Sequence, residues 1–122
     1  MAIPHSQPGQ PIDVRPLGTA LSQARTETLI RSPAAELIRM VVPAGKQLKE
    51  HRAPGEIVVH CLEGRIEFTS MGRTQELTSG QLLLLPPGEP HSVRAIDDSS
   101  FLLTILFPED VAGANHPARG SS

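Results

Sequence analysis

The sequence predicts an all-β protein that folds as one sandwich or barrel, and three observations support this class. Apolar or alternating segments of about six residues recur along the chain with turns between them, which is typical of antiparallel strands. Most of the 12 prolines and 10 glycines lie between these segments, where turns require them. A chain of 122 residues can bury one core without disulfide bonds, so a single domain is expected.

The two ends of the chain differ in composition from its centre. Residues 1–11 are rich in proline and have no apolar periodicity, so we expect a flexible N-terminal arm. The domain is expected to span 12–108 and to contain one short helix within 16–25. Residues 109–122 are polar and rich in helix and strand breakers, which predicts a flexible C-terminal tail.

The strand predictions rest on period-two alternation and on turn residues at the segment ends. In 65–70, Ile66 and Phe68 alternate with polar residues, so one face of this strand is expected to be buried. A Met-Gly pair then breaks the pattern before 73–78, which is expected to form a hairpin with it. The segments expected to form strands are 36–42, 56–62, 65–70, 73–78, 81–86 and 100–107.

Two of these segments, 81–86 and 100–107, are apolar on both faces. Such strands are normally covered on both sides. The interior of one barrel covers only one face of each strand, and the N-terminal arm can cover only part of the rest. We therefore expect a homodimer, in which a second copy of the chain covers the remaining apolar surface.

Composition argues against several classes of function. The formal net charge is -2 and no long run of like charge is present, so neither nucleic-acid nor membrane binding is expected. With three phenylalanines and no tyrosine or tryptophan, the chain has too few aromatic rings for a base-stacking surface. The single Cys61 cannot form an internal disulfide, and the N-terminus lacks a signal-peptide pattern, so a cytoplasmic location is expected.

Two turn-rich stretches carry the most specific pattern. In GKQLKEHRAPGEIVVHCLEG, His51 follows Gly45 after five residues, and in GQLLLLPPGEPHSVRA, His91 follows Gly88 after two. They resemble the two signature motifs of the cupin superfamily, G-x5-H-x-H-x3,4-E-x6-G and G-x5-P-x-G-x2-H-x3-N. The resemblance covers roughly residues 36–108. It implies a double-stranded β-helix, the cupin jelly-roll barrel, with a small single domain and a degenerate first motif.

The resemblance also implies a metal site. In the family, two histidines and a glutamate of the first motif and the histidine of the second usually hold a divalent metal inside the barrel. His51 and His91 match two of these positions, whereas Ala53 and Ile57 stand at the other two. Ala95 replaces the last asparagine of the second motif. The resemblance thus implies a reduced ligand set for iron, manganese, nickel or zinc.

Three residues near the first motif are candidates for additional ligands, because catalytic metal sites normally have at least three protein ligands. Glu56 adjoins the glutamate position, but neighbouring strand residues face opposite ways unless the loop bulges. His60 likewise has the parity of an outward-facing residue. Cys61 shares the inward parity of Ile57, and its thiolate is a soft ligand, although a free cysteine is usually a small buried hydrophobe.

Three classes of function remain open at this stage. The first is a metal site that binds a small molecule in the barrel, as in an oxygenase, isomerase or lyase. The second is a metal-free module that binds or senses a small molecule without catalysis. The third is a metal-free enzyme in which His51 or His91 acts as a general base. Metal content separates the first class from the other two.

Overall fold

The computed structural model describes residues 6–108, which form two packed antiparallel sheets. This arrangement confirms the predicted all-β jelly-roll barrel. One short 3-10 helix, Gly18–Gln23, lies within the segment where the sequence predicts a helix. No helix in the described part of the chain is long and apolar enough to span a membrane. The strands within 6–108 are β1 (Glu27–Arg31), β2 (Ala35–Val42), β3 (Gln47–His51), β4 (Ile57–Glu63), β5 (Arg65–Ser70), β6 (Arg73–Thr78), β7 (Leu82–Leu85), β8 (His91–Ala95) and β9 (Ser99–Leu106).

The strand order joins segments that are distant in sequence. Sheet A has the order β1-β2-β9-β4-β7, and sheet B has the order β3-β8-β5-β6. β9 pairs with β2 over its full length, from Ala35 opposite Leu106 to Val42 opposite Ser99. Its other edge pairs with β4. The first and last thirds of the domain are therefore held together in one sheet.

The core lies between the two sheets and is built from the inward faces of their strands. In β5, Ile66 and Phe68 are buried while Arg65 is exposed, which confirms the predicted alternation. In β4, Ile57 and Cys61 are likewise buried inward and belong to the same apolar cluster as Phe68. Burial of these side chains is the main favourable contribution to folding.

The N-terminal segment lies against the outer face of sheet A. Arg39 points outward from β2 but is only 8% exposed, and its Nη2 donates to the carbonyl oxygen of Asp13 at 2.7 Å. On β4, the Glu63 carboxylate accepts the Leu17 N–H at 2.9 Å and the Ser100 hydroxyl at 2.7 Å. Hydrogen bonds of charged side chains therefore fix this segment across strands β2, β9 and β4.

Only part of the predicted N-terminal arm lies within the described residues, and the predicted C-terminal tail lies outside them. Within the predicted arm, the Ser6 N–H donates to the Leu29 carbonyl oxygen at 3.0 Å, which places residue 6 beside β1. Residues 1–5 and the predicted tail, 109–122, lie outside the described residues.

The part of the outer face of sheet A that β4 and β7 form is apolar and open in a single chain. Leu82 and Leu84 of the edge strand β7 are 58% and 56% exposed. On β4, their strand partners are His60 and Val58, which are half-buried. The second apolar face predicted for 81–86 is thus present and has no cover within residues 6–108.

Gly64 is the single residue between β4 and β5, and its backbone has a φ of 83°. A Cβ atom at this position would lie 2.3 Å from the carbonyl oxygen of Asp98 and 2.8 Å from the Cα of Ser99. Gly72, between β5 and β6, has a similar φ of 77°, but a Cβ there meets nothing within 4 Å. Comparing alanine substitutions at the two glycines therefore separates the cost of the left-handed conformation from the cost of steric crowding.

We expect Gly64→Ala to lower the free energy of unfolding by at least about 1 kcal/mol more than Gly72→Ala. The Gly72 variant carries only the cost of the left-handed backbone, about 1–2 kcal/mol, while the Gly64 variant adds overpacking of about 1–3 kcal/mol. Urea denaturation of both variants and the parent measures the difference. Equal losses in the two variants would show that the chain at Asp98 and Ser99 moves aside freely.

Candidate functional site

The two motif histidines meet on neighbouring strands of sheet B. His51 ends β3, His91 begins β8, and the two residues are direct partners in the ladder between these strands. Their ring centroids are 4.4 Å apart, with an angle of 62° between the planes. A register shift between Leu48 and His51 accompanies this pairing. Both rings line one small cavity.

Backbone carbonyl groups fix the orientation of both imidazoles. The Nδ1 atom of His91 lies 3.0 Å from the carbonyl oxygen of Glu89, and that of His51 lies 3.2 Å from the carbonyl oxygen of Lys49. A carbonyl oxygen can only accept a hydrogen bond, so Nδ1 carries the hydrogen in each neutral ring. The lone pair of each neutral ring is therefore on Nε2, the nitrogen that remains available to a metal ion or a proton.

The surroundings of His91 favour its neutral form. The side chain is only 4% exposed, and its ring stacks on Phe68 at 5.6 Å between centroids. Burial is the main cause that lowers the pKa of His91, and the nearby His51 lowers it further. The hydrogen bond to the Glu89 carbonyl and the charges of Glu50 and Glu89 oppose this shift without reversing it.

The cavity shared by the two rings is very small. Its volume is about 10 Å³, close to the minimum for one water molecule. Apart from the histidines, its walls are apolar side chains from both sheets, among them Met40 and Phe101 of sheet A and Phe68 of sheet B. Organic ligands usually occupy pockets of about 300–1,000 Å³, so this cavity has room for an ion or a water molecule only.

The other candidate ligands do not line this cavity. Glu56 is exposed, and His60 lies on the outer face of sheet A with Leu82 as its strand partner. Cys61 is buried inward, as predicted, but its Sγ lies 3.7 Å from the carbonyl oxygens of Glu63 and Gly64, and burial raises the pKa of its thiol. Within residues 6–108, no group of three or more His, Cys, Asp or Glu is arranged to hold a metal ion.

The positions of the two missing motif ligands belong to the apolar core. Ile57 is buried and pairs with Leu85 on one side and Ile105 on the other. Ala53 is half-buried and packs against the same cluster. The side chains at these positions thus stabilise the barrel by apolar burial instead of supplying charge to the site.

Two residues of the site are not evident from the motifs. Phe68 stacks on His91, and Met40 reaches the cavity from the opposite sheet. Alternation along β2 is the pattern that points to Met40, because Ile38 and Val42 on the same face also pack in the core. The β2 pattern identifies an inward methionine, but only the packing of sheet A on sheet B places it near the histidines.

The fold and the paired histidines define a small jelly-roll barrel protein in which the histidines of both signature motifs meet on sheet B. A family model for the cupin domain matches residues 38–107, which is more than half of the chain. The chain belongs to the cupin family. A search of curated proteins gave no match.

Solved structures with the same fold come from several bacteria. A conserved protein of unknown function from Streptococcus pyogenes is 23% identical with a TM-score of 0.68, and the alignment covers 85% of this chain and 92% of that one. An RmlC-like cupin from Desulfovibrio desulfuricans is 26% identical with a TM-score of 0.67, covering 80% and 96%. A predicted oxalate decarboxylase from Thermotoga maritima is 24% identical with a TM-score of 0.63, covering 68% and 79%.

We expect the metal-free protein to lose stability as the pH falls below the ordinary histidine pKa of about 6.5. His91 in the unfolded chain takes up its proton there, while the folded protein, with its lowered pKa, still excludes it. The free energy of unfolding therefore falls toward the folded pKa by at most about 1.4 kcal/mol per pH unit from this group. Urea denaturation at about pH 7.5 and about pH 5.5, with a chelator present, measures the slope.

The matched variants for this measurement are His91→Asn and His60→Asn. Removing His91 should make the free energy of unfolding less dependent on pH. Removing His60 from the outer face of sheet A leaves the contribution of His91 in place. A His91→Asn variant that keeps the full slope of the parent would assign the pH dependence to other groups.

Proposed function

We propose that this cupin binds a metal ion at His51 and His91, and that a small oxygen-donor molecule or water completes the coordination. One observation carries the proposal: the two rings line the same cavity, and in each ring it is Nδ1 that contacts a backbone carbonyl oxygen, which leaves Nε2 for a ligand. A metal about 2 Å from both nitrogens requires ring centroids no more than about 6 Å apart. The observed separation of 4.4 Å meets this condition.

The residues present fit a weakly held metal ion better than a catalytic centre. Two neutral imidazoles supply fewer ligands than the three that catalytic sites normally have. The shared cavity of about 10 Å³ also has no space for an organic substrate, so any further ligand must approach the ion from outside the cavity. We therefore propose a binding function for this chain rather than a reaction like that of an oxalate decarboxylase, the predicted activity of one structural neighbour.

His51 gives the site its connection to solvent. This side chain is exposed, whereas His91 is buried, so a small molecule would reach a bound ion from the His51 side. A carboxylate or another oxygen donor suits the open positions of iron, manganese, nickel or zinc held by imidazole. The alternative is a metal-free binding module, in which the same two nitrogens hydrogen-bond a ligand directly. We also propose a cytoplasmic location, because Cys61 is a buried free thiol.

The test is a calorimetric titration of untagged, metal-stripped protein with zinc and nickel. We expect one equivalent to bind, and we expect His51→Ala and His91→Ala each to weaken binding at least about tenfold, or about 1.4 kcal/mol. His60→Ala is the matched control, because it removes a histidine from the outer face of sheet A. Absence of binding of every metal ion tested, or an equal loss in the His60 variant, would favour the metal-free module.

We further propose that a second copy of the chain covers the open apolar half of sheet A. The surface consists of Leu82 and Leu84 on β7 together with Val58 and His60 on β4. It contains no carboxylate, lysine or arginine, so placing it against its own copy brings no like charges together. Two-fold dimers use the same patch on both subunits and are the commonest homo-oligomers.

A charge placed on this surface should dissociate the dimer. We expect light scattering to give a dimer for the parent and a monomer for Leu84→Lys, because the new ammonium group would have to be buried against its own copy. Met71→Lys is the control: Met71 is equally exposed, at 58%, but lies in the turn between β5 and β6 of sheet B. A parent that is monomeric across micromolar concentrations, or a dimeric Leu84→Lys variant, would contradict this interface.

A further inference from the structure

The side chains that line the shared cavity include two imidazoles and one thioether and no carboxylate. Two imidazoles, His51 and His91, reach it from sheet B, and the thioether side chain of Met40 reaches it from β2 of sheet A. The cavity is close to the minimum size for one water molecule, at about 10 Å³, and Met40 lines it together with both histidines. Within the described residues, no carboxylate joins the two histidines as a third ligand.

We propose that this site selects copper(I), held by Nε2 of His51, Nε2 of His91 and Sδ of Met40. The proposal rests on the metal-binding function proposed above and names the ion for the same site. Thioether sulfur favours copper(I), and imidazole accepts it well. Copper(I) also tolerates two or three ligands, which is the number that the cavity offers.

The charge of the ion favours the same choice. Because no anionic ligand lines the cavity, a bound ion keeps its full charge among apolar walls such as Phe101 and Phe68. The cost of moving an ion from water to an apolar site rises with the square of its charge, so a divalent ion costs about four times as much as a monovalent one. Neutral ligands and apolar walls therefore penalise zinc or nickel more than copper(I).

Binding of copper(I) by Cys61 must be excluded in any experiment, since a thiolate is a strong ligand for copper(I). Its sulfur lies deeper in the core, beside the carbonyl oxygens of Glu63 and Gly64, and does not line the cavity. Cys61→Ala removes the thiol, so all copper measurements are made in this background. Met71, exposed in the turn between β5 and β6, provides a second thioether as a control.

The experiment is an anaerobic competition for copper(I) between the Cys61→Ala protein and a chromogenic chelator, with ascorbate as reductant. We expect one equivalent of copper(I) to bind. We expect Met40→Leu to weaken copper(I) at least about tenfold, or about 1.4 kcal/mol, and to leave zinc affinity unchanged. Met71→Leu should match the parent. X-ray absorption of the copper-loaded protein should show sulfur among the ligands, and this signal should vanish in Met40→Leu.

Methionine and leucine have similar volumes, so Met40→Leu is expected to fold, and a thermal melt verifies this. If zinc or nickel binds through His51 and His91 while copper(I) binds no more tightly than zinc, or Met40→Leu changes nothing, the copper proposal is overturned and the metal-binding function stands. If neither zinc, nickel nor copper(I) binds, both proposals fall. Copper(I) binding that disappears with Met40→Leu, with zinc binding retained, supports both.

Discussion

The antiparallel pairing of β2 with β9 is the contact on which the rest of the structure depends. All eight residues of each strand are paired, although six strands separate them in sequence. Closing so long a segment costs conformational entropy, and burial of the inward side chains must offset this cost. Phe101 and Leu103 of β9 contribute to that burial in the central cluster. β9 then pairs with β4 on its other edge, which extends sheet A, and sheet B packs over the inner face of sheet A.

The same closure builds the site. β3 and β8 are the two strands that carry the motif histidines, and they become neighbours in sheet B only because the chain folds back on sheet A. Burying His91 disfavours its charged form, and stacking on Phe68 and the hydrogen bond to the Glu89 carbonyl favour one orientation of the neutral ring. The packing that stabilises the barrel also limits the site: side chains from both sheets leave space for a single small ion between them.

Strand positions could be predicted closely because alternation and turn residues are local properties. The predictions for 65–70 and 73–78 coincide with β5 and β6, and the inward parity of Cys61 and outward parity of His60 are confirmed. The burial of Arg39 could not be predicted, because it depends on the N-terminal segment crossing a sheet formed later in the chain. β3 was not predicted as a separate strand for a similar reason: its polar, mostly exposed sequence has no alternation, and pairing with β8 alone makes it extended.

The altered first motif lacks two ligand positions, but the pair formed by His51 and His91 remains. Ile57, which stands at the position of the motif glutamate, packs in the core and adds no negative charge to the interior. The carbonyl anchors on Nδ1 of His51 and His91 depend on the backbone of Lys49 and Glu89, so replacing side chains elsewhere in the motif leaves them intact. The site therefore keeps two oriented imidazoles while its surroundings become apolar. For the metal site proposed here, such surroundings make the charge of the ion and the softness of the proposed Met40 ligand the properties that select the metal.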